Sequence, residues 1–404
     1  MGGGGGQAAA DGRDAPLIGM VAGEASGDLL GAGFIEAVRS QWPDARFVGI
    51  GGPKMLALGM DSWFPQEMLA VRGYVEVLRR LPALLRIRHQ LARRLLRQRP
   101  EVFVGVDAPD FNLALERRLR AAGIPTLHYV SPSIWAWRGH RIHGIGRAAE
   151  RVLALFPMEP RLYEAAGIPV SFVGHPLARL LPEQPDTAGA RRALRIDPQA
   201  GPLVTLMPGS RMAEVEHLGL LFMRAAERVL ERHPRALFLV PLATRPTFDL
   251  FERALRARAA HPDRFQVMFG HAHQALEACD AAIIASGTAT LEAALLKKPM
   301  VISYRMPWLS YQLMRGRAYL PWVGLPNILA GREIVPELLQ DAATEEALAA
   351  ALERQLDNPD AAGQQAAFAE MHRALTADTR GAILAAVAPY LVRARAGQTG
   401  VGAA

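Results

Sequence analysis

A chain of 404 residues is too long for one ordinary domain and fits two of about 150–200 residues each, since single cores stop growing near that size. Half the residues are hydrophobic, 21% are charged and 7% are aromatic, which excludes a disordered, collagen-like or coiled-coil architecture. The formal charge of +7 suits nucleic acid, an anionic membrane or an acidic substrate equally well, so its location decides more than its size.

Residues 1–14, with glycine at 2–6, read as a flexible tail that lacks the cationic flank and apolar run of a secretory signal. No window reaches about 18 consecutive apolar residues, so neither export nor a membrane span is expected. From residue 15 onward short apolar runs alternate with helical stretches, the pattern of βαβ units and hence of an α/β fold with parallel sheets. Strands are expected at 17–22, 46–50, 102–106, 126–130 and 151–155, with the clearest helices at 29–40 and 113–122. Pro182, Pro185 and Pro198 end this pattern, which places a linker over 182–198 after an N-terminal domain over 15–181. A C-terminal domain over 199–375 restarts the alternation, with strands at 203–207, 236–240, 266–269, 281–285 and 300–304. Residues 376–404 are expected to return as a helix to the N-terminal domain and to finish as a tail. Two doubly wound domains facing across a cleft would put ligands at the C-terminal ends of their strands. Cys279 is the single cysteine, which excludes an internal disulfide and points to a reducing, cytoplasmic compartment.

The positive charge is local. Between Arg72 and Arg99 there are nine arginines and one acid, Glu76, and the rest of the chain sums to about neutral. Pro82 suits the first position of a helix. At about 100° per residue, Leu84, Ile87, Leu91 and Leu95 share one face of that helix and Arg86, Arg93 and Arg97 the opposite one. Two readings stay open: a surface helix with a solvated arginine face, or a face drawn to anionic lipid headgroups or an anionic lipid substrate. Nucleic acid is not expected, because the interleaving is with leucine rather than stacking aromatics and no nucleic-acid-binding motif is present.

The chemistry-bearing residues cluster where the expected strands end. Gly23, Glu24, Ser26, Gly27 and Asp28 form a glycine-punctuated turn into a helix; it can be an ordinary turn capped by Ser26 or Asp28, while its carboxylates suit hydroxyl recognition. The strand 102–106 ends in Asp107, followed by Asp110. Asp110 is read as the cap of the next helix, which leaves Asp107 the better candidate for a general base. Trp135 and Trp137, after the next strand, can be core or the apolar wall of a site. In the second half, Gly209, Ser210 and Arg211 follow a strand, where glycine lets the backbone approach an anion and arginine clamps it. Ser286, Gly287, Thr288 and Ala289 follow another, offering hydroxyls and free N–H groups to a diphosphate, and Glu292 lies one turn on, within reach of a ribose. Two such motifs in one domain point to a nucleotide-diphosphate site. No D-x-D occurs, and His271 with His273, or His140 with His143, lacks metal-ligand spacing, so no metal and no cofactor is expected. No G-x-S-x-G supports an acyl-serine mechanism.

The ordered strings VAGEASGD (21–28), VGVDAPDFN (104–112), HYVSPSIWAWR (128–138), PGSR (208–211), ASGTA (285–289) and LPNILAGRE (325–333) closely resemble the bacterial lipid-A-disaccharide synthases, over about residues 17–391. The resemblance implies a GT-B glycosyltransferase, inverting and metal-independent. It would join UDP-2,3-diacylglucosamine to 2,3-diacylglucosamine 1-phosphate, giving the β-1,6 lipid A disaccharide and UDP. It also implies a peripheral protein on the inner face of the cytoplasmic membrane, with which a homodimer is compatible. Asp107, Arg211 and Asn327 match positions that the family's active site needs, and the turn from Ser286 to Glu292 matches its UDP site. The glycine-rich tail departs from the family pattern and touches none of these positions. Two rival readings are a non-hydrolysing UDP-sugar 2-epimerase with the same layout, and a basic adaptor, which would leave the strand-end acids without a task.

Overall fold

The computed structural model describes residues 15–69, 74–136, 139–197, 200–306, 319–358 and 361–398. The tail at 1–14, Arg72, Trp137, Arg138 and the last six residues lie outside them. The described chain divides into two compact units, one from residues within 1–174 and 377–404 and one over 175–376.

Unit 1 holds a seven-stranded sheet in the order β3-β2-β1-β4-β5-β6-β7, every adjacent pair parallel. The strands are β1 (Leu17–Ala22), β2 (Arg46–Ile50), β3 (Asp61–Ser62), β4 (Val102–Val106), β5 (Thr126–Tyr129), β6 (Arg151–Ala154) and β7 (Val170–Phe172). All six residues of β1 are buried because both sheet faces are covered. Ile18, Met20 and Ala22 pack toward one face with α1 (Ala25–Arg39), whereas Leu17 and Val21 pack toward the other with α3 (Tyr74–Gln98) and α4 (Pro109–Ala121). The helix Thr379–Gln398 adds Ile383, Ala386, Val387 and Leu391 to the first of these faces.

The basic helix departs from expectation at its start. Pro82 sits inside α3 and does not open it. The face assignment agrees with the burial: Ile87, Leu91 and Leu95 are buried in the core, while Arg86, Arg93 and Arg97 are exposed.

Unit 2 holds a six-stranded parallel sheet in the order β10-β9-β8-β11-β12-β13. These are β8 (Leu203–Met207), β9 (Leu237–Leu242), β10 (Phe265–Phe269), β11 (Ala281–Ala285), β12 (Met300–Tyr304) and β13 (Glu337–Leu339). The segment 182–198, expected as a linker, is structured over its described residues and belongs to unit 2. It carries the helix Thr187–Ala193, whose Arg191 grips both carboxylate oxygens of Asp280 at 2.8 and 2.7 Å and the Ala278 carbonyl at 3.0 Å. Asp186 caps that helix through the Gly189 N–H. Proline spacing marked the end of one pattern and carried no information about these polar anchors.

Each sheet reverses its winding once, between β1 and β4 in unit 1 and between β8 and β11 in unit 2. At such a switch point the loops leaving two adjacent strands diverge, and the sheet edge between them opens into a ligand site.

Candidate functional sites

At the switch point of unit 1 the turn after β1 meets the turn after β4. A Cβ added at Gly23 would lie 2.9 Å from Ala108 Cβ, so the approach needs glycine. Asp107 and Ala108 both take left-handed backbone angles, φ 53° and 44°, which bends the chain sharply out of β4. Asn112 on α4, fully buried, holds this bend by donating its amide to the carbonyls of Val21, Val106 and Asp107. The Asp107 N–H donates to the Tyr129 carbonyl at 2.8 Å. Burial raises the Asp107 pKa above the usual carboxylate range, a nearby Glu24 adds to that, and the Ala108 N–H and His128 pull it down. A carboxylate so placed is suited to accept a proton.

Two acids of this region do other work. Asp28 is 3% exposed and accepts the N–H groups of Lys54 and Met55 at 2.9 and 3.0 Å, so it anchors the start of the helix Pro53–Ala57 rather than facing a ligand. Helix α1 begins at Ala25 with Glu24 in the cap position, so neither Ser26 nor Asp28 caps it. Ser26 is exposed and Gly27 buried. Asp110 does not cap α4 either: its side chain is 91% exposed and pairs with Arg141 at 2.7 Å. These roles depend on contacts 26 and 31 residues away, which local spacing does not reveal.

Trp135 is half-buried, packs edge-on against Phe156 and donates its indole N–H to Glu159 at 3.2 Å. Glu159 also accepts the Leu155 and Phe156 N–H groups, and burial pushes its pKa up to about 7.

At the switch point of unit 2 lies a cavity of about 670 Å³. The loops after β8 and β11 supply Gly209, Ser210, Arg211 and Ser286 to Ala289, with Glu292 behind them, so all eight residues expected to bind a nucleotide diphosphate line it. Gly209 has φ 126°, and a Cβ there would meet Glu214 Cβ at 2.4 Å. The helix Thr288–Leu295 opens toward the cavity at Gly287, where a Cβ would meet nothing within 4 Å, leaving space for an anion at the free N–H groups. Arg211 is 66% exposed and rests on Glu214 at 2.6 Å, the same carboxylate that accepts the Ser210 and Arg211 N–H groups. Sequence reasoning considered His271 and His273 only as metal ligands; both line this cavity, His271 in the cap position of the helix Ala272–Ala278 after β10 and His273 in its first turn. His273 lies 3.1 Å from Glu292, a hydrogen bond that raises its pKa. The signal that could have found them was their place just after a strand end.

Asn327 is placed differently from the other expected active-site residues. It is 0% exposed and its amide is fully engaged, donating to the Val335 carbonyl and Glu337 and accepting the Ile334 and Val335 N–H groups. It holds the turn that leads into β13 and is not among the residues lining the 670 Å³ cavity.

Among the described residues no group of three or more metal-ligating side chains occurs, and no helix is long and apolar enough to cross a membrane.

The model of the family described as lipid-A-disaccharide synthetase matches residues 18–387. The chain is similar to the lipid-A-disaccharide synthase of Methylobacillus flagellatus, 55% identical over 377 residues that cover 93% of this chain and all of the relative. It is also similar to that of Pseudomonas aeruginosa strain UCBPP-PA14, 50% identical over 380 residues, 94% of this chain and 99% of the relative. Among solved structures it resembles S. aureus MnaA with UDP, with a TM-score of 0.62, 11% identity and coverage of 94% of this chain and 97% of that one. MurG of Acinetobacter baumannii gives a TM-score of 0.56 at 16% identity, covering 91% and 98%. These likenesses concern the fold, two Rossmann-like parallel-sheet units of the GT-B type.

Proposed function

The chain belongs to the lipid-A-disaccharide synthase family, a family of glycosyltransferases, and on that premise we propose how its residues divide the reaction. The donor is UDP-2,3-diacylglucosamine, the acceptor 2,3-diacylglucosamine 1-phosphate, and the product a β-1,6 disaccharide formed with inversion. Unit 1 holds the acceptor along the turn from Gly23 to Gly27, and Asp107 takes the proton of the attacking 6-hydroxyl. The hydroxyl oxygen bonds to the sugar's C1 while the bond from C1 to the diphosphate breaks, and UDP leaves with the electron pair. Unit 2 holds UDP. Arg211, swinging off Glu214, and the N–H groups at Gly287 to Ala289 meet the charge that grows on the leaving diphosphate, in place of a metal ion. Glu292 and His273 take the ribose side. Asn327 supports the site from beneath.

The observation that carries this reading is positional: Asp107, with Glu24 beside it, lies at the switch point of one sheet, and the turns suited to a diphosphate lie at that of the other. MnaA, a protein of like fold, was solved together with UDP, which agrees with a nucleotide in a fold of this kind. We further propose that the exposed arginine face of α3, with Leu81 and Leu85 41% and 44% exposed beside it, rests on the anionic inner surface of the cytoplasmic membrane. Incubation with the two purified lipids in excess EDTA, following disaccharide and UDP, tests the reaction. Epimerised donor formed without acceptor would replace it with an epimerase, and loss of activity restored by magnesium would remove the metal-free part.

A further inference from the structure

Unit 1 carries a cavity that the reaction above does not use. Its volume is about 340 Å³, at the small end of ligand pockets, which run from about 300 to 1,000 Å³. It lies where β2 and β3 end, and because the strands of this sheet are parallel, that is the same sheet edge at which β4 ends in Asp107. Its walls are apolar: Pro53, Leu56, Trp63, Phe64 and Pro65. The buried Gly51 and Gly52 add bare backbone, since a Cβ on Gly51 would stand 2.8 Å from Met60 Sδ and one on Gly52 2.2 Å from Gln66 Oε1. Trp63 is held from two sides, its indole N–H donating to Asp61 at 2.8 Å and the Arg94 guanidinium of α3 lying 4.2 Å over its ring. Leu56 stays 47% exposed.

This cavity is tied to the turn after β1. Gln66, which is 8% exposed and lines the cavity, donates its amide to the carbonyls of Ala22 and Glu24 at 3.2 and 2.8 Å. Asp28, on the other side of that turn, accepts the Lys54 and Met55 N–H groups beside Pro53. The strand order β3-β2-β1-β4 then fixes a direction. A pyranose held over the β1 turn with its 6-hydroxyl at Asp107 has C5, which carries that arm, toward β4. C2 lies across the ring from C5, with C3 beside it, so substituents on C2 and C3 run back toward β2, two strands from β4 and about 10 Å away at about 4.8 Å per strand. That is where the apolar cavity stands.

We propose that this cavity is an acyl subsite, taking one fatty acyl chain that the acceptor carries on C2 or C3. This rests on the reading of unit 1 as the acceptor side with Asp107 as the base. The chain packs against Leu56, Trp63 and Phe64, and by lodging there it holds the sugar in register with Asp107.

The test is kcat/KM of the full-length enzyme with a series of acceptors whose acyl chains are short enough to stay in free solution and increase in length, without detergent or bilayer, beside a short-chain donor. In wild type each added methylene should raise kcat/KM by up to about fourfold, the factor for moving a methylene from water to an apolar site, until the cavity is full. Leu56→Trp, which fills the cavity, and Leu56→Ser, which removes an apolar wall, should both flatten that rise and leave the shortest acceptor near its wild-type value. A rise unchanged in both variants overturns the subsite and leaves the reaction in place. So does a rise that is kept in both and lost in Leu81→Ser or Leu85→Ser, which would put the chain on α3. Normal turnover by Asp107→Asn, or no disaccharide from any acceptor with the long-chain lipid included, removes the acceptor reading, and the proposal with it.

Discussion

Asn327 donates its amide to Glu337 Oε1 at 2.8 Å, and the same carboxylate receives the N–H groups of Val323 and Gly324, at 2.8 and 2.9 Å. The Val323 carbonyl in turn accepts the Ser286 hydroxyl at 3.0 Å, which links a fully buried amide to a turn on the cavity wall. Replacing Asn327 with alanine leaves the Ile334 and Val335 N–H groups unpaired, a cost of about 1–3 kcal/mol for each buried group. Asn327→Ala should therefore lower the unfolding temperature and weaken UDP binding together, as read by calorimetry. Ser286→Ala should weaken UDP binding with little change in stability. Unaltered UDP affinity in folded Asn327→Ala would mean that the turn does not need this support.

Asp107 and Arg211 should separate in their effects. Asp107→Asn keeps the size and removes the base, so turnover should fall by about 10²–10⁴ while UDP affinity stays near wild type. Arg211→Ala should weaken UDP binding by about 1.5–3 kcal/mol and lower turnover as well, because diphosphate charge grows in the transition state. Loss of UDP binding in the first variant and its retention in the second would reverse the assignment of substrates to units.

The Glu159 carboxyl has its pKa raised by burial from 4.5 to about 7. Between those values the folded state binds more protons than the unfolded one, so stability from this group is present at low pH and lost as pH rises toward 7. The stability of wild type relative to Glu159→Gln should decline from pH 4.5 to pH 8, by an amount on the order of 3 kcal/mol. Urea unfolding at several pH values measures it. A constant difference would show that Glu159 does not titrate in this window.

Arg86, Arg93 and Arg97 are exposed on α3. Replacing all three with glutamine should reduce sedimentation with anionic vesicles, at about 1 kcal/mol per arginine near the surface, and flatten its salt dependence. Binding equal to wild type would leave α3 as a surface helix with a solvated face.

The α/β class and the positions of the central strands are legible in the amino-acid order alone. Strands β1, β2, β4, β8, β11 and β12 have the bounds that their apolar runs predict, because a parallel strand covered on both faces is a short continuous apolar segment. The turns at 209–211 and 286–289 that line the unit 2 cavity are legible too, since glycine and hydroxyl residues just after a strand are a local signal. The two- and three-residue strands β3, β7 and β13 emerge only in the folded chain, being too short to show a period. Folding also separates Asp107 from Asp28 and Asp110, because what a carboxylate does is decided by what lies across the fold from it: a neighbouring strand end, a helix start 26 residues away, or open solvent. For the same reason Glu116 and His128 read locally as one helix residue and one strand residue, and become a pair where Gly105 lets α4 approach β5.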